Sequence, residues 1–241
     1  MRDGSRRLAI LDQLQAAGGD LDTKRLCDVT VEITGASGAG IMLMSGDTQR
    51  GSICSTDDVS ALIERLQYDL GEGPCVDACR LDRPVAEPDL AAPGSIRWMA
   101  FTPPAVAAGA RAVFGFPLQV GAVRLGALNL YCDEPRSLTN GQHADALLMA
   151  AIAGQAVLVM QAGAPDGQVA SELEARADFQ YVVHQASGMV AAQLDVSVTT
   201  ALVRLRAYAF GNDRALVEVA REVVAKQLRF DTRSGEDDPA P

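Results

Sequence analysis

An α+β fold is the class this sequence predicts: an antiparallel sheet with flanking helices in residues 23–162, followed by an all-α three-helix bundle in residues 172–230. Three observations carry it. Ala112-Val-Phe-Gly-Phe-Pro-Leu-Gln-Val120 and Arg124-Leu-Gly-Ala-Leu-Asn-Leu-Tyr131 read as an antiparallel strand pair joined at Gly121-Ala122. Helical periodicity flanks that pair on both sides. Beyond Ala162-Gly-Ala-Pro-Asp-Gly167, which reads as a linker spanning about 163–171, only helical stripes remain.

The bounds agree with two domains. The 241 residues suffice for two cores, and a hydrophobic share of 48% is globular. No uninterrupted apolar run reaches the roughly 18 residues of a membrane span. The basic start Met1-Arg-Asp-Gly-Ser-Arg-Arg7 lacks the apolar region and cleavage site of a secretion signal, so the expected setting is cytoplasmic. Five cysteines, an odd and thinly spread number, do not suggest a disulfide scaffold. Nineteen arginines against two lysines reflect genome composition more than a binding surface. The net charge of −10 divides into −7 over residues 1–171 (20 acids, 13 bases), zero over 172–230 (seven of each) and −3 in the acidic tail 231–241, expected to be disordered (four acids, one base). That balance argues against bulk nonspecific nucleic-acid binding but permits a local basic face on the bundle.

In order along the chain, Leu8, Leu11 and Leu14 mark a short helix within an N-terminal segment 1–22, ended by Gly18-Gly19. A second helix from Thr23 places Leu26, Val29 and Ile33 on one face and stops near Gly35. Gly40-Ile-Met-Leu-Met44 and Ser52-Ile-Cys54 are strands, with Ser45-Gly-Asp-Thr48 turning between them. Asp57 or Asp58 caps a helix carrying Leu62, Ile63, Leu66 and Leu70. The Gly- and Pro-rich stretch 71–104 implies loops with short helical pieces. After the strand pair, Thr139 or Asn140 caps a long apolar helix to about Gln161.

The motifs Gly71-Glu-Gly-Pro-Cys75, Arg97-Trp98, Gly109-Ala-Arg-Ala112, Phe116-Pro-Leu118 and Leu125-Gly-Ala-Leu-Asn-Leu-Tyr131, in this order across residues 20–162, resemble a GAF domain. That resemblance implies a cupped sheet that binds a small molecule, a chromophore or nothing. Trp98, Phe116, Asn129 and Tyr131 are the residues that could line such a cup, with filling of the core as the plainer role of Phe116. The histidine or cysteine with which some relatives hold haem or bilin has no counterpart here, so no cofactor is expected.

Catalysis is not expected. His143 and His184 are the two histidines; each reads as a helix-surface residue, and no nucleophile elbow, phosphate-cradling loop or His-Glu-x-x-His is present. Cys75 and Cys79 share a helix face if that piece is helical, and Cys54 could approach them. They are redox candidates, with buried thiols acting as small hydrophobes as the plainer reading. No second cysteine pair supplies further ligands, so no metal site is expected.

In the C-terminal module the first helix places Val182, Ala186, Met189 and Gln193 along one face, with Val183, Val190 and Leu194 beside them. Gly188 inside it suggests a close helix crossing. Ser197 caps the second helix, which buries Ala201, Leu205 and Tyr208 and ends at Gly211 as a left-handed cap. Asn212 or Asp213 starts the third, whose stripe runs Leu216, Val219, Ala220, Val223, Val224, Leu228. Val183-His-Gln-Ala-Ser-Gly-Met189, Ala201-Leu-Val-Arg-Leu-Arg206 and Leu216-Val-Glu-Val-Ala220 resemble an ANTAR domain across residues 172–228. The resemblance implies a homodimer that binds paired RNA hairpins in nascent transcripts and prevents termination. One departure is Ser187, where many members carry lysine. The RNA-contact candidates are Gln185, Arg204, Arg206, Tyr208, Arg221, Lys226 and Arg229, with Arg214 as a further cation. Arg221 and Arg229 are expected on one face of the third helix, beside Lys226. A solvated helix face paired with Glu218 and Glu222, or a dimerisation module without RNA, is the alternative. A DNA-reading helix-turn-helix fits less well, because no helix rich in base-reading residues follows the turn.

Overall fold

The computed structural model describes residues 2–15, 23–45, 48–92, 97–162 and 181–230, which fall into two units, Met1–Phe179 and Gln180–Pro241. The expected Gly18-Gly19 stop, the tip of the 45–48 turn, the linker 163–171, the start of the bundle at 172–180 and the acidic tail 231–241 lie outside the described residues.

In the first unit the order is α1 (Arg2–Gln15), α2 (Thr23–Thr34), β1 (Gly38–Ser45), β2 (Thr48–Ser55), α3 (Asp58–Leu70), α4 (Pro74–Leu81), β3 (Val85–Glu87), α5 (Thr102–Ala107), β4 (Ala112–Val120), β5 (Val123–Cys132) and α6 (Asn140–Gln161). The five strands form one antiparallel sheet in the order β2-β1-β5-β4-β3. Gly121, at φ 60°, supplies the left-handed turn that lets Val120 face Val123 in the β4–β5 hairpin. The short edge strand β3 is an element the sequence reading assigned to loop. Pro84 and Pro88 bracket its three residues and mask its strand character. Capping boxes fix two helix starts: Asp57 with Ser60 for α3, and Thr139 with Gln142 for α6.

Strand alternation divides the side chains between two faces. Ile41 and Leu43, Phe114, Phe116 and Leu118, and Leu128 and Leu130 point to the face covered by α2 and α6, where Leu26, Val29, Met149, Ile152 and Val157 close the main core. The apolar helix α6 has the length and composition to cross a membrane, but one side of it is buried against this sheet. From α1, Ile10 and Leu14 join the core while Leu8 is 63% exposed, so the stripe is rotated from the expected Leu8-Leu11-Leu14. Arg6 forms a bidentate pair with the buried carboxylate of Asp145. Cys54 does not approach Cys75 and Cys79: it is disulfide-bonded to Cys27, joining β2 to α2.

The other face carries Gly38, Gly40 and Met42 on β1, Ala127, Asn129 and Tyr131 on β5, and Val113 and Gly115 on β4, and it is covered by α3, α4 and α5. Its glycines permit close approach. A Cβ on Gly115 would lie 2.4 Å from the carbonyl oxygen of Pro74, the first residue of α4.

The second unit contains α7 (Tyr181–Leu194), α8 (Val198–Gly211) and α9 (Leu216–Val224). Its core comprises Val183, Ala186 and Val190, then Ala201, Leu202, Leu205 and Ala209, then Leu216, Val219, Ala220 and Val223. Ser197 caps α8 by accepting from the Thr200 N–H at 3.1 Å, as expected. Four details differ from the sequence reading. The buried stripe of α7 runs Val183, Ala186, Ser187, Val190, so Met189 and Gln193 are only half-buried. Gly188 is exposed with open space around its Cβ position, so no helix crosses there; its neighbour Ser187 is the buried residue, donating to the Val183 carbonyl at 2.7 Å. The left-handed residue after α8 is Asp213 (φ 51°) rather than Gly211, and α9 starts from Ala215 without a side-chain cap. Finally, α9 stops at Val224: Lys226 turns left-handed (φ 60°), which takes Leu228 and Arg229 off the helix.

The contrast between two glycines is testable. Gly188→Ala should stabilise the bundle by about 0.5–1 kcal/mol through helix propensity. Gly115→Ala should destabilise the first unit by about 1–3 kcal/mol through overpacking against α4. Denaturant titration of both variants measures each difference.

Candidate functional site

The inner face of α3 holds the least expected chemistry. Ser60, Glu64, Gln67 and Gly71 recur at helical spacing, and the first three are buried. Glu64 is 2% exposed and Asn129 on β5 is 0% exposed; neither the carboxyl of the first nor the carboxamide of the second has a hydrogen-bond partner among the described residues. Gly40 is the cross-strand partner of Asn129, and a Cβ on Gly40 would lie 2.9 Å from the Glu64 side chain. The two groups therefore share one floor. Gln67 Oε1 accepts from the Cys75 N–H at 2.7 Å, which ties the start of α4 to α3.

Burial alone lifts the Glu64 carboxyl to a pKa of about 8. Burial also raises the thiol of Cys75, helped by Glu64 and Cys79, and pushes Cys79 up to about 12. Both cysteines sit on α4 against Ala127 and Met44, and Cys79 Sγ donates to the Gly126 carbonyl at 3.1 Å. Thiols so placed stay protonated near neutral pH, the opposite of a reactive redox centre.

Among the expected pocket residues, Trp98 and Tyr131 are committed to the fold. Trp98 Nε1 donates to Asp77 at 3.1 Å and its ring lies 4.9 Å beneath the Arg97 guanidinium. The Tyr131 hydroxyl donates to Asp57 at 2.9 Å, a carboxylate that also caps α3. Phe116 belongs to the opposite face, with its ring 5.3 Å from His143, so it does not share a chamber with the other three. Of the four, Asn129 keeps its polar atoms available. The sequence reading missed Glu64 and Gln67, whose row at helical spacing looks like a solvated face. A cleft of about 350 Å³ opens beside α4, lined by Gly71, Glu72, Asp77, Arg80 and Arg97 with Trp98 in its wall. Arg97 and Arg80 both reach Asp77, at 3.0 and 3.8 Å.

In the second unit Gln185, Arg204, Arg221, Lys226 and Arg229 are exposed, while Arg206 and Tyr208 are half-buried. Tyr208 packs its ring 5.3 Å from Phe230, whose N–H donates to Gln193 Oε1 at 2.9 Å. Arg229 precedes Phe230 in the chain, and Arg204 lies one helical turn before Tyr208 on α8. Because α9 ends early, Arg221 and Arg229 do not form the expected helical row. Arg214 is held by Glu222 at 2.7 and 3.0 Å, and the pair lowers the Glu222 pKa. Phe210 is 64% exposed on α8, beyond Arg206 by one turn and Val203 by two. The sequence reading passed over it; its signal is an aromatic residue on the polar side of the Leu205–Ala209 stripe.

Two outcomes follow. An unfolded glutamate titrates near 4.5 and folded Glu64 near 8, so the fold favours the protonated form. That contribution is complete below about pH 4.5 and is lost as pH rises to about 8, at up to about 1.4 kcal/mol per pH unit. Glu64→Gln should therefore gain melting temperature over the parent progressively across that window. Separately, a thiol reagent at pH 7.5 should leave Cys75, Cys79 and Cys132 unmodified in the native chain and label all three in denaturant, since all three are buried.

Comparison with known proteins accords with this architecture. A GAF domain family model matches residues 23–160. A GAF domain from a Coxiella burnetii phosphoenolpyruvate-protein phosphotransferase superposes with a TM-score of 0.50 at 15% identity, covering 66% of this chain and 96% of that one. A domain of a Sinorhizobium meliloti two-component sensor histidine kinase gives 0.47 at 18% identity (57% and 88% covered). A GAF domain/HD domain protein from Geobacter sulfurreducens gives 0.47 at 13% (61% and 100%). Among curated proteins none matches the chain in sequence. With its family match spanning more than half its length and a five-stranded antiparallel sheet between helical layers, the chain belongs to the GAF domain family.

Proposed function

We propose that this protein is a cytoplasmic, signal-responsive transcription regulator rather than an enzyme: its GAF domain senses a small molecule or partner, and its C-terminal three-helix unit binds RNA hairpins and acts by antitermination. One observation supports this most directly. A separate small bundle, whose residues resemble an ANTAR domain, carries exposed cations and aromatic rings together: Arg204, Arg221, Lys226 and Arg229 are exposed, Tyr208 packs against Phe230, and exposed Phe210 lies one turn beyond Arg206. Hairpin RNA presents phosphates and splayed loop bases, and these residue types bind the first by charge and the second by stacking. Residues 172–230 are neutral overall, so contact would be local and geometric.

The protein would act as a homodimer. Ala144, Leu147, Ala151 and Leu158 on α6 are exposed at near-heptad spacing, and no charged residue follows Asp145 in that helix. A second reading draws on Tyr181, Val198, Val203 and Phe210, all exposed and apolar: a protein-docking module that never touches RNA.

Titrating the full chain with a two-hairpin RNA separates the readings. Arg204→Ala and Arg229→Ala should each weaken binding and reduce the logarithmic salt slope by about 0.7–0.9, with melting temperature unchanged. Phe210→Ala should cost about 1–3 kcal/mol of binding through lost stacking. Equal affinity of all three variants and the parent would leave the docking module as the function of this surface.

A further inference from the structure

We propose that Glu64 and Asn129 form the hydrogen-bonding end of a ligand site for a small organic cation of the ammonium or amidinium class, entered from the cleft beside α4. The proposal rests on the reading of the GAF domain as a sensor and gives that sensor a chemistry.

Unpaired polar groups indicate the site. Glu64 and Asn129 carry four side-chain polar atoms without partners, in a protein interior where the great majority are satisfied. Each unmet group is costly to bury, and a ligand able to pair with both would offset that cost. The cross-strand neighbours of Asn129 carry no side chains. Asn129 lies between Gly40 and Gly115, its cross-strand partners on β1 and β4. A side chain on Gly40 would run into Glu64, and one on Gly115 into Pro74.

One row of α3 links the floor to the cleft. Glu64, Gln67 and Gly71 follow at i, i+3 and i+7, and Gly71 lines the 350 Å³ cleft. The helix that separates cleft from floor is α4. It is flanked by residues of positive φ on both sides, Gly71 (68°) and Gly73 (130°) before it and Asp82 (51°) after it, and the Gln67–Cys75 bond of 2.7 Å holds its first turn down. Outward movement of α4 as a body would expose Glu64 and Asn129 together.

Charge selects the class of ligand. The ionisable groups that approach Glu64 are the thiols of Cys75 and Cys79 on α4, both protonated near neutrality. No charged side chain contributes to the Glu64 shift among the described residues, and the cleft arginines Arg80 and Arg97 are held by Asp77. An anion would meet a carboxyl with no counter-ion. A cation instead ionises Glu64, whose proton leaves to solvent, and the resulting N⁺–H···O⁻ bonds are of the strong, charge-assisted kind. The Asn129 carbonyl accepts a further N–H of the same group.

The test is calorimetric titration of the full chain, without RNA, using benzamidine and agmatine as cationic probes, adenine as a neutral one and cyclic AMP as an anionic one. The expected result is one saturable site per chain for a cation, about tenfold tighter at pH 9 than at pH 7, as the ionised fraction of a group titrating near 8 requires. At pH 7 up to one proton should be released per ligand, read from the heat in buffers of different ionisation enthalpy. Glu64→Gln, which keeps the side-chain shape, should bind at least tenfold more weakly at pH 9, lose the pH dependence and still melt cooperatively. No saturable binding of either cation, unchanged affinity in Glu64→Gln, or preference for adenine or cyclic AMP would each overturn the proposal. The RNA titration is independent of this one, so either reading can fail while the other stands.

Discussion

The approach of α4 to the middle of the sheet is the constraint on which the first unit depends. The Pro74 carbonyl stands where a side chain on Gly115 would be, so the helix lies directly on β4. Everything on that face is cut to fit. Gly40 makes room for Glu64 as Gly115 makes room for α4, and Cys75 and Cys79 fill the gap over Ala127 as compact apolar groups. Such contact leaves little room for water, and this is why the carboxyl of Glu64 is displaced so far from its ordinary titration range. A single geometric demand thus sets the strand composition, the inertness of the thiols and the electrostatic state of the acid beneath them.

How much of this could be read in advance differs from element to element. The β4–β5 hairpin was legible because Gly121 and the long Val/Leu/Phe runs are local signals, and the capping boxes at Asp57 and Thr139 are local too. Edge strand β3 was hidden because three residues between prolines carry almost no periodic information, and pairing with β4 creates the strand. Asn129 was named as a pocket residue on sequence alone, yet Glu64 on the same floor was not. A glutamate on an amphipathic helix is normally assigned to water, and only the tertiary fold, through Gly40 and Asn129, turns it inward. The Cys27–Cys54 bond is of the same kind, made between α2 and β2 at a separation of 27 residues with nothing local to announce it.

In the bundle the errors were rotational and terminal. Alanine, valine and leucine fall on more than one side of α7 and α8, so their apolar side is weakly defined by sequence. The buried row fell one position away from that expected, taking Ser187 inside and leaving Gly188 outside. The end of α9 was set by Lys226 adopting a left-handed conformation, an uncommon choice for a lysine, after which Phe230 folds back onto Tyr208. That return sets a ring from beyond the third helix against one on α8, a contact no helical wheel of the third helix would produce.

The displaced titration of Glu64 also bounds what a ligand could accomplish. A ligand shifts a conformational equilibrium only by its difference in affinity between the two states. A domain that was fully satisfied without ligand would have little to gain from opening. Here the closed arrangement retains a neutral carboxyl and a carboxamide with no hydrogen bonds, so part of the free energy needed to lift α4 is already present as unmet polar interactions. Opposing it are the Gln67–Cys75 hydrogen bond and the packing of Cys75 and Cys79 against the sheet. The balance depends on pH through Glu64 itself: as pH approaches 8 the closed state loses its preference for the protonated acid, and the opening of α4 becomes easier. A site of this construction would respond to a cation and to alkalinity in the same direction, because both act by ionising one buried carboxyl.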